Sequence, residues 1–143
     1  MTIQIMSRSK AIKYSCEHHN ETSAVISISD CDKESPKLEN NPNNGIMMRC
    51  KVKFDDVERG ASGCITEADA SKIASFVKEI KKSIDLLIVH CEAGVSRSAG
   101  VAAAIMKAVD DDDRAVFNNP RYVPNMSCYR AVLNACYAEG MMS

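Results

Sequence analysis

An excess of charge of either sign is missing from this chain. Over 143 residues, 18 lysines and arginines stand against 19 aspartates and glutamates, a formal net charge of −1. That balance offers no general attraction to nucleic acid or to an anionic membrane, so neither is expected as a partner. Long apolar runs are missing as well, and none approaches the ~20 residues that cross a bilayer. The opening stretch MTIQIMSRSK lacks the apolar segment of a secretory signal, which predicts a cytoplasmic protein. No pair of cysteines is spaced C-x-x-C, and their number, seven, is odd. Zinc and a disulfide framework are therefore not expected, and no metal or other cofactor is called for. Free thiols in quantity fit a reducing compartment. Cys16 with His18 and His19 reads as a polar loop, since no fourth ligand group recurs nearby. There is no internal repeat.

What is present is ordinary globular material. A chain 45% hydrophobic and 26% charged fits one domain over residues 1–143. Strand and helix signals alternate along it. Residues 2–6 alternate in polarity, and residues 24–28 (AVISI) read as a buried strand ending at Ser29-Asp30. Residues 31–45, rich in Lys, Glu, Asn and Pro, read as a surface loop. Residues 46–54 form a third strand pattern, with Met48, Cys50, Val52 and Phe54 on one face. A polar loop follows over residues 55–63. Thr66 and Asp69 have the spacing of a helix N-terminus, and Ile73, Phe76, Val77 and Ile80 give that helix an apolar face. Residues 86–89 are four large apolar residues, the pattern of a strand buried on both faces. Helices are predicted over 98–109 and 125–138, with the acidic run 110–113 a solvated boundary. The fold class is α/β: a central, mainly parallel sheet of four or five strands flanked by helices. Ligands of such sheets bind beyond the carboxyl ends of the strands.

Cys91 lies at such an end, inside DLLIVHCEAGVSRSAG (residues 85–100). Glu92, Ala93, Gly94, Val95 and Ser96 are few enough to wrap one ring of backbone around a small anion. Gly94 permits a turn that a side chain would oppose. The ring's N–H groups form an anion nest, and a helix beginning near Arg97 adds its positive end. Cysteines at helix N-termini or beside arginine are held as thiolates, the nucleophilic form. Arg97 supplies a planar fork for two phosphoryl oxygens. Ser98 can donate its hydroxyl to the sulfur when cysteine becomes the leaving group. His90 reads as a structural hydrogen-bonding group beneath the loop. The bare Cys-to-Arg spacing is weak evidence, since with seven cysteines it arises by chance about a third of the time. The conjunction of His90, Gly94, Ser98, the upstream strand and the downstream helix is far rarer.

HCEAGVSRS resembles the signature loop of the cysteine-dependent protein tyrosine phosphatases, in the form found in compact dual-specificity phosphatases of bacterial or phage type. The resemblance covers residues 46–138. It implies hydrolysis of phosphate monoesters through a phosphocysteine, without metal, with Cys91 as nucleophile and Arg97 as clamp. Phosphotyrosine, phosphoserine or phosphothreonine on proteins is the expected substrate class. It also implies an aspartate acid on a loop upstream. KVKFDDVERG aligns Asp56 with that acid best and leaves Asp55 as the runner-up. Asn125, after Pro124, matches the family residue that braces the catalytic loop, and is equally a plain helix cap. The chain has no Trp, so the Trp-Pro-Asp loop of the tyrosine-specific members is absent. A shallow pocket is therefore expected. Glu92 and the lack of lysine in the loop disfavour polyanions. Phosphoinositide or RNA 5′-phosphatase activity, a non-catalytic phosphate-binding role, and sulfur transfer or arsenate reduction remain as alternatives.

Overall fold

The computed structural model describes residues 1–141; the last two residues of the expected domain lie outside the described residues. Four strands, β1 (Thr2–Met6), β2 (Ser23–Ser29), β3 (Ile46–Lys53) and β4 (Leu86–His90), form one sheet in the order β1-β4-β2-β3, parallel throughout. Five helices accompany them: α1 (Arg8–Ser15), α2 (Glu67–Ile80), α3 (Arg97–Asp110), α4 (Arg114–Phe117) and α5 (Met126–Ala138). The inner strands β2 and β4 are buried along their whole length, as strands paired on both sides and covered on both faces are.

Alternation splits the strands between two cores. Ala24, Ile26, Ile28, Leu87 and Val89 face α2, α3 and α5. Val25, Leu86 and Ile88 face the other way, onto Ala11 and Tyr14 of α1, with Leu38 and Ile46 packed against them. α3 is the central helix, and its alanines let it lie close to its neighbours. α2 begins with the capping box its sequence predicts: the Thr66 hydroxyl accepts from the Asp69 N–H, and the Asp69 carboxylate accepts from the Thr66 N–H. No helix among the described residues is long and apolar enough to cross a membrane.

Several features add to or differ from the sequence reading. α1 was not foreseen: RSKAIKYS is mostly polar, and the sheet rather than its own pattern decides its helix. α4 is a single turn in the stretch after the acidic run. The acidic run ends α3 at the surface, as expected, and three of its carboxylates also have partners: Asp111 with Lys107 at 2.9 Å, Asp112 with Arg114 at 2.9 Å, and Asp113 with the Tyr129 hydroxyl. β3 ends at Lys53, one residue short of the expected strand; Cys50, Val52 and the following Phe54 are buried as expected while Met48 is exposed, because β3 is an edge strand and its beginning is open. Residues 31–45 are irregular but docked: buried Asn44 donates to the Ser15 and Glu39 carbonyls and accepts from the Ile46 N–H.

Candidate active site

The parallel register brings Met6, Ser27 and His90 side by side, so four chain segments leave the sheet together at one edge. They carry Ser7, Asp30, the Asp55–Asp56 pair and Cys91. Cys91 follows β4 directly and is 3% exposed. Its Sγ lies 3.1 Å from the Ser98 hydroxyl oxygen and accepts from the Gly94 N–H at 3.3 Å. Gly94 has φ +73°, and a Cβ there would lie 2.7 Å from the Met6 carbonyl carbon and the Ser7 nitrogen. Glycine is required on both counts.

The loop's carbonyls show where its N–H groups point. The Glu92 carbonyl accepts from Arg8 N–H at 3.1 Å, Val95 from Val123 N–H at 3.0 Å, and Ser96 from Asn125 N–H at 3.0 Å. Each carbonyl is pulled outward. In a planar trans peptide the next N–H points the opposite way, which turns those of Ala93, Ser96 and Arg97 inward. α3 opens at this ring, and Ser96, at its N-cap, makes no side-chain cap bond. The helix's first amides therefore remain available to an anion. Ser96 spends its hydroxyl on Asp56 instead, donating to Oδ1 at 2.8 Å.

The two aspartates part company here. Asp56 Oδ1 also accepts from Asn125 Nδ2 at 2.9 Å, so its carboxylate hangs at the rim of the loop. Asp55 is tied elsewhere: its Oδ1 accepts from the Cys31 N–H at 2.9 Å, and its own N–H donates to the Gly63 carbonyl at 2.7 Å. Asn125 is both cap and brace, since its Oδ1 accepts from the Cys128 N–H while its Nδ2 reaches Asp56 and the Val57 carbonyl. Arg97 is 5% exposed; its Nη1 donates to the Phe54 carbonyl at 2.8 Å and forms an ion pair with Asp30 Oδ1 at 2.7 Å.

Beneath the loop, His90 is fully buried, with Nε2 2.7 Å from the Ser27 hydroxyl oxygen and Nδ1 3.4 Å from the Cys91 carbonyl. Burial pushes this imidazole down to about 4. Burial first, and Asp56 second, push the Cys128 thiol up to about 12, so that cysteine stays protonated.

Glu92 sits on the exposed rim, where Lys33 Nζ stands 3.8 Å from its Oε2 and 3.7 Å from Asp30 Oδ2. Its negative charge is thus offset, which weakens the sequence-based argument that it repels polyanions. Asp30, Lys33, Ser27 and the Met6–Ser7 backbone escaped sequence reasoning. Only Asp30 left a trace, as a carboxylate just past the end of a central strand.

No family model matches the sequence, and no curated protein matches it. Solved structures do match. The human tyrosine phosphatase-like serine/threonine/tyrosine-interacting protein superposes with a TM-score of 0.65 at 15% identity, over 96% of this chain and 92% of its own. Human DUSP28 gives 0.63 at 16%, over 99% and 95%. PTPMT1 in complex with PI(5)P gives 0.60 at 14%, over 96% and 91%. The chain has the fold of the dual-specificity phosphatases. In that fold, the sheet edge described above holds the Cys91 loop.

Proposed function

We propose that this chain is a cysteine-dependent phosphatase, a single catalytic domain over residues 1–143, that hydrolyses phosphate monoesters on proteins at tyrosine, serine or threonine. The observation that carries this reading is the convergence on one ring of Cys91 Sγ, inward-turned amides, buried Arg97 and the carboxylate of Asp56. The amides of residues 92–96 and the Arg97 guanidinium hold the phosphoryl oxygens. The Cys91 thiolate attacks phosphorus, and the P–O ester bond breaks with its electron pair on the leaving oxygen. Asp56 delivers a proton to that oxygen. The resulting Asp56 carboxylate then takes a proton from water as the water oxygen attacks phosphorus. The S–P bond breaks, and Ser98 donates its hydroxyl to the departing sulfur. No metal or other cofactor enters these steps. Seven free thiols support a cytoplasmic location. The partner is a phosphoprotein or a small phosphomonoester, with no nucleic acid or membrane.

A second reading, phosphoinositide hydrolysis, draws support from Lys33 beside Glu92, which supplies a cation at the rim. A phosphopeptide panel set against soluble inositol phospholipids ranks the two.

The direct test is p-nitrophenyl phosphate turnover in excess EDTA. Turnover should persist there, be inhibited by vanadate, and vanish in Cys91→Ser. In Asp56→Asn, kcat should fall about 100-fold, whereas Asp55→Asn should act mainly on stability. Activity retained by Cys91→Ser overturns the assignment.

A further inference from the structure

A guanidinium is a flat plate with five N–H groups, and its value as a phosphate clamp depends on which edge it presents. Among the described residues, Arg97 engages the protein through one nitrogen of its guanidinium. Both polar contacts recorded for its side chain among the described residues involve Nη1: an ion pair with Asp30 and a hydrogen bond to the Phe54 carbonyl. These two partners hold Nη1 from two sides and bias the plane of the plate. The Nε–Nη2 edge, the fork that can straddle two oxygens of a phosphoryl group, is left over.

The two anchors come from different strand ends. Asp30 follows β2 and Phe54 follows β3, while Arg97 opens the helix after β4. The Asp30 carboxylate is itself held at both oxygens, by Arg97 at Oδ1 and by Lys33 at Oδ2. Arg97 holds that carboxylate below the ordinary range, chiefly through the hydrogen bond between them. Of the two anchors, the Phe54 carbonyl belongs to backbone that any residue supplies. The charged one depends on the side chain at position 30.

We propose that Asp30 is a positioning residue for phosphate recognition: by engaging Nη1 it holds the Arg97 guanidinium so that the Nε–Nη2 fork is presented to the phosphoryl oxygens. Asp30 never touches substrate and acts only through Arg97. The inference rests on the phosphatase reading above. Without Asp30, one bond to a backbone carbonyl remains, about which the plate can rotate. Ground-state binding of the oxyanion then weakens, and the transition state, which needs the fork aligned, loses more.

Asp30→Asn tests this, because it keeps an acceptor of the same size and removes the charge. Three readouts are taken: thermal midpoint, kcat and KM for p-nitrophenyl phosphate, and tungstate affinity measured as protection of Cys91 from iodoacetamide. The expected result is a kcat lowered about tenfold and a weaker tungstate affinity, in a protein that still melts cooperatively. In an Arg97→Lys background, which has no fork to orient, the same substitution should cost almost nothing further. Equal losses in both backgrounds would mean a merely structural role and overturn the proposal, as would wild-type kcat and tungstate affinity in Asp30→Asn. If Asp30→Asn does not fold, Asp30→Glu replaces it. That variant keeps the charge but shifts the carboxylate by a methylene, and unchanged kcat and affinity there would equally overturn the proposal. A wild-type protein that binds tungstate without turnover would sink the phosphatase reading, while the tungstate comparison would still decide the role of Asp30.

Discussion

At the scale of single residues, His90 shows how burial sets a charge state. The ring lies in the core between Ser27 and the Cys91 carbonyl, and is pushed down to about 4. A free histidine titrates near ~6.5. The folded state therefore prefers the neutral ring. That preference contributes fully above pH 6.5 and is lost as the pH falls from there through 4. The gap corresponds to about 3 kcal/mol as an upper figure. Thermal melts between pH 7.5 and pH 4.5 should show the midpoint falling steeply in the wild type. In His90→Gln it should start lower and fall less, and parallel declines in the two proteins would count against this account. Asp30, shifted downward, loses its contribution only at lower pH and stays out of that window. The role of His90 beneath the loop was legible from its place at a strand end. The partner that keeps it neutral was not, because Ser27 lies 63 residues away.

Among the elements, the contact of α3 with α5 sets the rim of the site. A Cβ on Gly100 of α3 would lie 2.4 Å from the Asn125 carbonyl oxygen and 3.2 Å from the Cys128 Cβ. The glycine lets the start of α5 come close enough for the Asn125 N–H to reach the Ser96 carbonyl, and its side chain to reach Asp56. Gly100→Ala should cost about 1–3 kcal/mol from overpacking. It should also lower kcat, because moving Asn125 moves the carboxylate it holds. Denaturant melts and steady-state kinetics check both, and an unchanged midpoint would show that the helices have slack. The start of α2 was readable from Thr66 and Asp69, since a capping box is local chemistry. α1 was not, since only Ala11, Tyr14 and Ser15 of its eight residues are buried and the sheet supplies what they pack on.

For the molecule as a whole, the parallel sheet is what assembles the site. β1 pairs with β4 from Thr2↔Leu86 to Met6↔His90 and ends against Gly94. Removing residues 1–6 would expose a central strand on one side and strip the loop of its backing. The truncated chain should lose its cooperative thermal transition and aggregate in size-exclusion runs. A cooperative melt close to that of the full chain would show β1 to be dispensable. The sequence by itself determined the α/β class, the position of the loop and the identities of Cys91, Arg97 and Ser98. Those features are carried by short spans, in which the covalent chain keeps neighbours together and polarity period marks strand or helix. Tertiary structure decided that Asp56 and not Asp55 meets the loop, that Asn125 holds it there, and that Asp30 and Lys33 join the rim. These contacts link residues far apart in the chain, 40 for Ser96 and Asp56 and 69 for Asn125 and Asp56. They exist only once strand register has laid the ends of β2, β3 and β4 side by side, and register is a property of the packed sheet rather than of any one segment.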